Sequence, residues 1–570
     1  MSQTEATLTV LDSILFIIVI AVSFLIGLYH GFLSKRKQNT PEEYFLGGKS
    51  MNIIPVAVSL VVTFVSGMTI IGVTADVYAH GTLHWLYIVT NLIMVLITGL
   101  IFLPVFYDLQ LPSSFSYLQL RFGRKVQLLG SFIYIASTML FVPINFYVPA
   151  LVVNHITGAS IGLTTIILGF VCIFYTALGG FRAVIWADLF QTSLIFACYI
   201  AIMYIGVDLV GGVPEIWDAS KRGGRLIAFD LNPDPTLRLT TWTMLFGHTF
   251  LTTQNFGLNQ TSIQRFLSVS SLTKARTVLV LFYVGYCLFH MISIGAALVI
   301  YAYFEDCDPL TSGQISKLDQ LVPLFILKIA DRLPGLVGIF VAGIFAASLS
   351  TMSSCLNSLT TCLFEDFIQS FLPTMSAART CTFLKVLTIG LGCLQIGLVF
   401  AVEKMGTLYT IVITILGLTC GTMLGLFTMG MLVKRANQTG AIFGTISSLV
   451  GVGVIIIGGW FKSPDPSLQM RTDGCLMNST IPTIPPLGLS DSTDNLVDDD
   501  LVWIFKISFM FYSTVGFFLV YLIGYPISII TGGNVIKDNR LLAPFMRNKL
   551  PKKDPAAEQG FLSVKTEVKI

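Results

Sequence analysis

Long uninterrupted apolar runs recur along this chain, separated by short polar segments that carry nearly all of the charge. About thirteen runs can be placed, at 11–33, 52–76, 82–107, 127–153, 161–179, 183–207, 240–264, 277–303, 334–362, 382–403, 405–431, 440–460 and 501–529. Most are close to or above the roughly 20 residues a helix needs to cross the hydrocarbon of a bilayer. They are too long and too uniformly apolar for barrel strands, which alternate with a period of two. The pattern predicts an all-α membrane protein of about 13 transmembrane helices.

Composition agrees. The chain of 570 residues is 54% hydrophobic and 11% charged, where a soluble domain carries about a quarter charged residues. The first run is too long for a signal-peptide core and precedes Lys35-Arg36-Lys37, so it reads as a retained spanning helix. Lys35–Lys37, Arg121, Arg124, Lys125, Arg182, Arg265, Lys274, Arg276, Lys434, Arg435 and the tail bases from Lys537 to Lys569 fall on one side, which predicts that side to be cytoplasmic. The opposite loops are acidic, at Glu305, Asp306 and Asp308 and at Asp498–Asp500. An odd span count then places the N-terminus outside and the C-terminus in the cytoplasm. Of the sequons at Asn259, Asn437 and Asn478, only Asn478 falls in a long external loop, so it is the expected glycosylation site. Cys307 and Cys475 are the two cysteines in external loops, and they are either a disulfide or two unrelated surface thiols.

Polar groups inside the runs carry the chemistry. Between Val341 and Leu359 lie Ser348, Ser350, Thr351, Ser353, Ser354 and Ser358. Ala347, Ser350, Thr351, Ser354 and Ser358 share one helical face. Such a stripe either offers oxygen ligands to a hard cation or lines a close helix–helix contact. The second run contains Ser66 and Gly67 at mid-membrane, and the seventh is crowded with polar residues from Gly247 to Gly257. Broken helices are tolerated at that depth only around a cavity or inside protein. Two of them five spans apart predict an inverted-repeat transporter with a midplane site. Asp188 is an ionisable residue within a span, and it reads as functional or as the partner of Arg182 or Arg265. His84, His248 and His290 read as hydrogen-bonded structural groups. Asp76, near the external mouth, is either solvated or paired with a gate residue. No Ser-His-Asp spacing, phosphate loop or cysteine metal cluster supports an enzyme, and nothing in the charge pattern points to nucleic acid.

Several segments resemble the sodium:solute symporter family. They are Tyr175-Thr-Ala-Leu-Gly-Gly-Phe-Arg-Ala183 with Trp186, Asp188 and Gln191; Gly430-Met431 with Arg435, Gly440, Ala441 and Gly444; Asn259-Gln260 with Gln264-Arg265; and Pro41-Glu-Glu-Tyr-Phe-Leu-Gly-Gly48. Tyr117-Leu-Gln-Leu-Arg-Phe122 and Tyr147–Gly158 are most similar to the iodide, monocarboxylate and multivitamin branch. The resemblance implies an extra N-terminal helix (1–33), a five-plus-five inverted-repeat core (52–207 and 240–431) whose first and sixth helices are broken, two further helices (440–529) around an external loop (461–500), and a cytoplasmic tail (530–570).

It also implies sodium as the coupling ion, held by carbonyls of Val62, Val65 and Ala347 and hydroxyls of Ser350 and Thr351. Asp188 would lie on the sodium exit route, and Gln191 would contribute to a second sodium site. The expected substrate-cavity residues are Ser66, Thr69, Tyr87, Phe141, Thr252, Asn255, Phe256, Thr419 and Cys420. Thr69 and Ile88 stand where sugar-carrying relatives place a glutamine and a carboxylate, which argues against a polyol. The expected function is plasma-membrane symport of sodium with a small organic anion, a monocarboxylate or a vitamin such as biotin or pantothenate. The alternative is an iodide-like inorganic anion; a sugar or choline symporter, or a channel or sensor on the same fold, is less expected. Val568-Lys-Ile570 offers a C-terminal ligand for a PDZ-type domain.

Overall fold

The computed structural model describes residues 9–33, 40–372, 375–402, 408–462, 467–475, 502–533, 536 and 538–547. Among these, helices are the regular structure and there is no strand. The main ones are α1 (Val10–Leu28), α2 (Ile53–Phe64), α3 (Gly67–His80), α4 (Tyr87–Ile97), α5 (Arg124–Thr157), α6 (Ile161–Val210), α7 (Gln260–Leu267), α8 (Leu272–Tyr303), α9 (Leu336–Cys362), α10 (Ala377–Val402), α11 (Leu408–Leu432), α12 (Gln438–Gly459) and α13 (Tyr512–Ile530). Asn478 and the tail from residue 548 lie outside the described residues.

Among the described residues, ten helical stretches are long and apolar enough to cross a membrane. The difference from the thirteen apolar runs has three local causes. The run at 52–76 is split into α2 and α3, each too short to span alone. The runs at 161–179 and 183–207 are joined in α6, which is interrupted at Gly180 (φ 53°, ψ −158°). Unbroken, its 50 residues would extend about 75 Å, more than twice the hydrocarbon thickness; Gly180 is where the path divides. The run at 240–264 forms a wide turn at Thr243–His248, a single α turn at Thr249–Thr252, a second wide turn at Thr253–Leu258, and an extended residue at Asn259 before α7. Short helices at Val213–Arg222 and Leu321–Ile329, which hydropathy does not single out, cover loops between spans.

α9 is buried on nearly every side, whereas α1 leaves most of its apolar surface exposed, as a helix facing lipid does. α1 is nevertheless fixed to α9. Asp12 closes the capping box of α1 with Thr9 and its Oδ1 accepts the Gly338 N–H at the start of α9 (2.7 Å). An acid there also complements the positive end of the α9 dipole. A Cβ at Gly338 would lie 2.5 Å from the Asp12 Cα, so the approach requires glycine. Phe16 meets Phe345 of α9 edge-on (4.6 Å), and Phe24 stacks on Phe174 of α6 (4.0 Å).

At the opposite end, Arg121 donates to the carbonyls of Gly430, Val433 and Ala436 (2.8, 2.8 and 3.0 Å), closing the C-terminus of α11. Cys307 and Cys475 are joined as a disulfide with a Cα–Cα distance of 4.9 Å. The segment they anchor pairs with the end of α3, where the Leu468 N–H donates to the Ala79 carbonyl (2.9 Å).

Candidate functional site

The interruption between α2 and α3 has a clear local cause. Ser66 adopts an extended conformation (φ −89°, ψ 167°) and caps α3, its Oγ accepting from the Thr69 N–H (3.3 Å). The Ser66 N–H is turned to Thr69 Oγ1 (3.3 Å), so it no longer reaches the carbonyl of Val62, its partner in an unbroken helix. Val65, at φ −99° and ψ 85°, completes the break. Carbonyl oxygens are thereby released in the middle of a buried helix. α9 lies directly against them: Thr351 Oγ1 donates to the Thr63 carbonyl (2.9 Å) and lies 3.2 Å from that of Ala347. A Cβ on Gly67 would fall 2.7 Å from Ser348 Oγ, so the glycine permits the close approach of α3 to α9.

The α9 hydroxyls divide by partner. Ser350 Oγ donates to Asp188 Oδ1 (2.5 Å). Ser354 contacts Thr63 Oγ1 (3.1 Å) and accepts from Arg265 Nη2 (2.6 Å). Ser353 donates to the Ser350 carbonyl and Ser358 to Gln264 Oε1. Asp188, on α6, also takes the Ser59 hydroxyl (2.5 Å) and pairs with Arg265 Nη2 (3.2 Å). Both ions are fully buried. Removing either member would strand the other charge, at about 3–5 kcal/mol. Arg182, the other partner considered for Asp188, instead donates to the Gly47 carbonyl (2.6 Å). Gln191 is buried, and its Nε2 donates to Ser23 Oγ of α1 (3.4 Å).

Beside the break is a cavity of about 150 Å³. Ser66, Thr69, Tyr87, Phe141, Thr252, Asn255, Phe256, Thr419 and Cys420 all line it, as do Thr63 and Thr351. Among the described lining residues there is no Lys, Arg, Asp or Glu. Sequence reasoning did not place His248, His290 and Tyr286 here. Tyr87 stacks on His248 (3.9 Å, 9° between planes) and meets His290 edge-on (4.9 Å), while Tyr286 packs against His290 (4.4 Å). The available signal was the position of His248 in the polar, interrupted seventh run. Phe256 closes one wall, with Phe64 at 4.7 Å and Tyr286 at 4.9 Å.

Above the cavity, Asp76 is buried and paired rather than solvated. Its carboxylate lies 2.6 Å from Arg238, 3.0 Å from His80 Nδ1 and 3.0 Å from His84 Nε2. Arg238 also sits over the Phe509 ring (4.9 Å). Its loop is held to the segment before α13, where Ser508 Oγ donates to the Arg238 carbonyl (2.7 Å).

A multi-pass helical bundle with an interrupted helix beside an uncharged cavity defines a membrane transport protein. The chain belongs to the sodium:solute symporter family, whose model matches residues 44–448. It is 35% identical over 538 residues to the sodium-dependent multivitamin transporter of Oryctolagus cuniculus, covering 93% of this chain and 83% of the relative. It is 34% identical over 544 residues to the sodium-coupled monocarboxylate transporter 1 of Homo sapiens, covering 92% and 88%. Among solved structures, a Na+-coupled sialic acid symporter in a substrate-bound, outward-open state has the same fold, with a TM-score of 0.74 and 21% identity over 93% of this chain and all of the other.

Proposed function

We propose that this protein is a sodium-coupled symporter that carries a small organic anion, a monocarboxylate or a vitamin-like acid, across the plasma membrane by alternating access. The observation that carries the reading is the opened backbone at Val62–Ser66, facing the α9 hydroxyls at the edge of the cavity. The carbonyls of Val62, Val65 and Ala347 and the hydroxyls of Ser350 and Thr351 form the sodium site. Oxygen ligands suit a hard cation, and because these five are neutral they hold a monovalent ion without trapping it. Asp188 already binds Ser350, so it would receive sodium as the ion leaves toward the cytoplasm, and Gln191 on the same helix contributes to a second sodium site.

The solute occupies the cavity lined by Ser66, Thr69, Tyr87, Phe141, Thr252, Asn255, Phe256, Thr419 and Cys420. With no lysine or arginine among the described lining residues, the solute's negative charge is balanced by the bound sodium and by the positive N-terminal end of α3. A cavity of about 150 Å³ favours an organic solute over a halide. Each inward positive charge gains about 2.3 kcal/mol per 100 mV of membrane potential. In this reading residues 52–207 and 240–431 are the two repeats that move against each other, and 1–33 and 440–529 are accessory. The N-terminus and a glycosylated 461–500 loop bearing Asn478 are outside, and the C-terminus, a candidate PDZ-type ligand, is inside.

The test is uptake in injected oocytes of labelled pyruvate, biotin and iodide, each in sodium and in choline medium. Concentrative, sodium-dependent uptake of an organic anion is expected. Sodium-independent flux, or a sodium current without solute accumulation, contradicts the proposal.

A further inference from the structure

The two histidines of the cavity have defined hydrogen-bonding roles. His290 Nδ1 faces the Tyr286 carbonyl (3.2 Å). A carbonyl only accepts, so Nδ1 carries the proton and the neutral ring leaves Nε2 as a lone-pair acceptor. His248 Nδ1 lies 2.8 Å from Thr90 Oγ1, which in turn lies 3.3 Å from the Tyr87 carbonyl. Both contacts are filled when Thr90 gives its single proton to the carbonyl and accepts from His248 Nδ1–H. His248 then presents the same group, an Nε2 acceptor. Neither Nε2 has a hydrogen-bond partner among the described residues, and both rings line the cavity.

The other end of the same broken segment has the opposite character. Asn259 Nδ2 donates to Asn255 Oδ1 (3.4 Å), so the Asn255 oxygen is engaged and its Nδ2 is left as the donor of an amide that belongs to the cavity lining. Asn255 follows His248 by seven residues, about 10 Å along a helical path. An anionic group suits the donors of Asn255 and the neighbouring sodium site. It does not suit two lone-pair acceptors, because acceptor facing acceptor leaves buried groups unsatisfied.

We infer that His248 and His290 are specificity-determining residues that read a hydrogen-bond donor on the solute, an N–H or O–H group remote from its carboxylate. This rests on the symport reading and narrows its substrate class. Acids with a distal hydroxyl, amide or ureido group are preferred, and unsubstituted acids of the same length are poor substrates.

The experiment uses the full chain in oocytes and three matched probes: 5-hydroxypentanoate, pentanoate and 5-methoxypentanoate. The methoxy acid keeps the oxygen and removes the donor. In the unmodified protein the half-saturating concentration of the hydroxy acid is expected to lie roughly tenfold or more below that of the other two, as for a site built around a substrate hydroxyl. In His290→Phe and His248→Phe, with surface expression measured, the ratio between hydroxy acid and pentanoate falls toward one. Equal half-saturation for all three probes in the unmodified protein overturns the inference without any variant. So do histidine variants that weaken all three acids equally, the result expected if protonated imidazoles grip the carboxylate. Sodium-independent flux of every probe would instead overturn the symport reading beneath it.

Discussion

Two buried carboxylate–arginine pairs stand at different depths of this molecule, and they are built differently. Asp188 and Arg265 are both fully buried, and the serines around them come from α2 and from α9. Asp76 and Arg238 keep a path to solvent through Arg238, which is 16% exposed, and their neighbours are two histidines and the Phe509 ring. The inner pair is wired into the hydroxyls assigned to sodium. The outer pair ties α3 to a loop and to the segment before α13. In the proposed mechanism one arginine therefore belongs to the ion path, and the other is a latch over the solute.

The comparison breaks most readily at the inner pair. Asp188→Ala leaves the Arg265 charge buried without its partner, at about 3–5 kcal/mol. Thermal unfolding in detergent should fall by several degrees and surface expression should drop. An unchanged melting temperature would remove the inner pair from the core of the fold. Next comes the hinge beside it. Gly67→Ala drives a Cβ against Ser348 Oγ and should cut the uptake rate about tenfold or more, while adding Ser348→Ala should restore much of it. Failure of the second change to help would mean that the glycine is needed for backbone freedom rather than for space.

The outer pair should give a smaller stability effect and a different readout. Arg238→Gln removes the latch, so in a Cys393→Ser background the cavity thiols Cys355 and Cys420 should react several-fold faster with an impermeant thiol reagent applied outside. Equal rates would show that Arg238 does not control access. The smallest effect lies at the surface. Arg222 pairs with Glu305 (2.8 Å) and holds its carboxyl below the usual range, chiefly by hydrogen bonding. A depressed carboxylate stabilises the fold above its unfolded value near 4.5, and that contribution is lost as pH falls through the lowered value. Melting curves of Glu305→Gln and the unmodified protein should differ slightly at neutral pH and converge in acid.

What was legible in the sequence follows the same division. Most of the apolar runs, the hydroxyl face of α9 and the weak point at Ser66-Gly67 are local patterns, and they appear where periodicity and glycine placed them. The nine cavity residues come together around one space. Long-range choices were not readable. Nothing in one dimension distinguishes Arg182 from Arg265 as the partner of Asp188, because the choice depends on how α7 crosses α6. The interruption of α6 at Gly180 was visible only as a gap between two apolar runs. The position of His248 on the cavity wall depends on the wide turns at 243–258, which break the helical period used to assign faces, and that of His290 on how α8 packs beside Tyr87.

The sodium site is the centre of the proposal, and its most direct test is the sodium dependence of solute uptake in Ser350→Ala/Thr351→Ala. Two of five ligands are lost, each hydrogen-bond-scale contact being worth about 1 kcal/mol or more. The sodium concentration for half-maximal uptake should rise at least fivefold, with the protein still at the cell surface. A sodium curve superimposable on that of the unmodified protein would contradict the assignment.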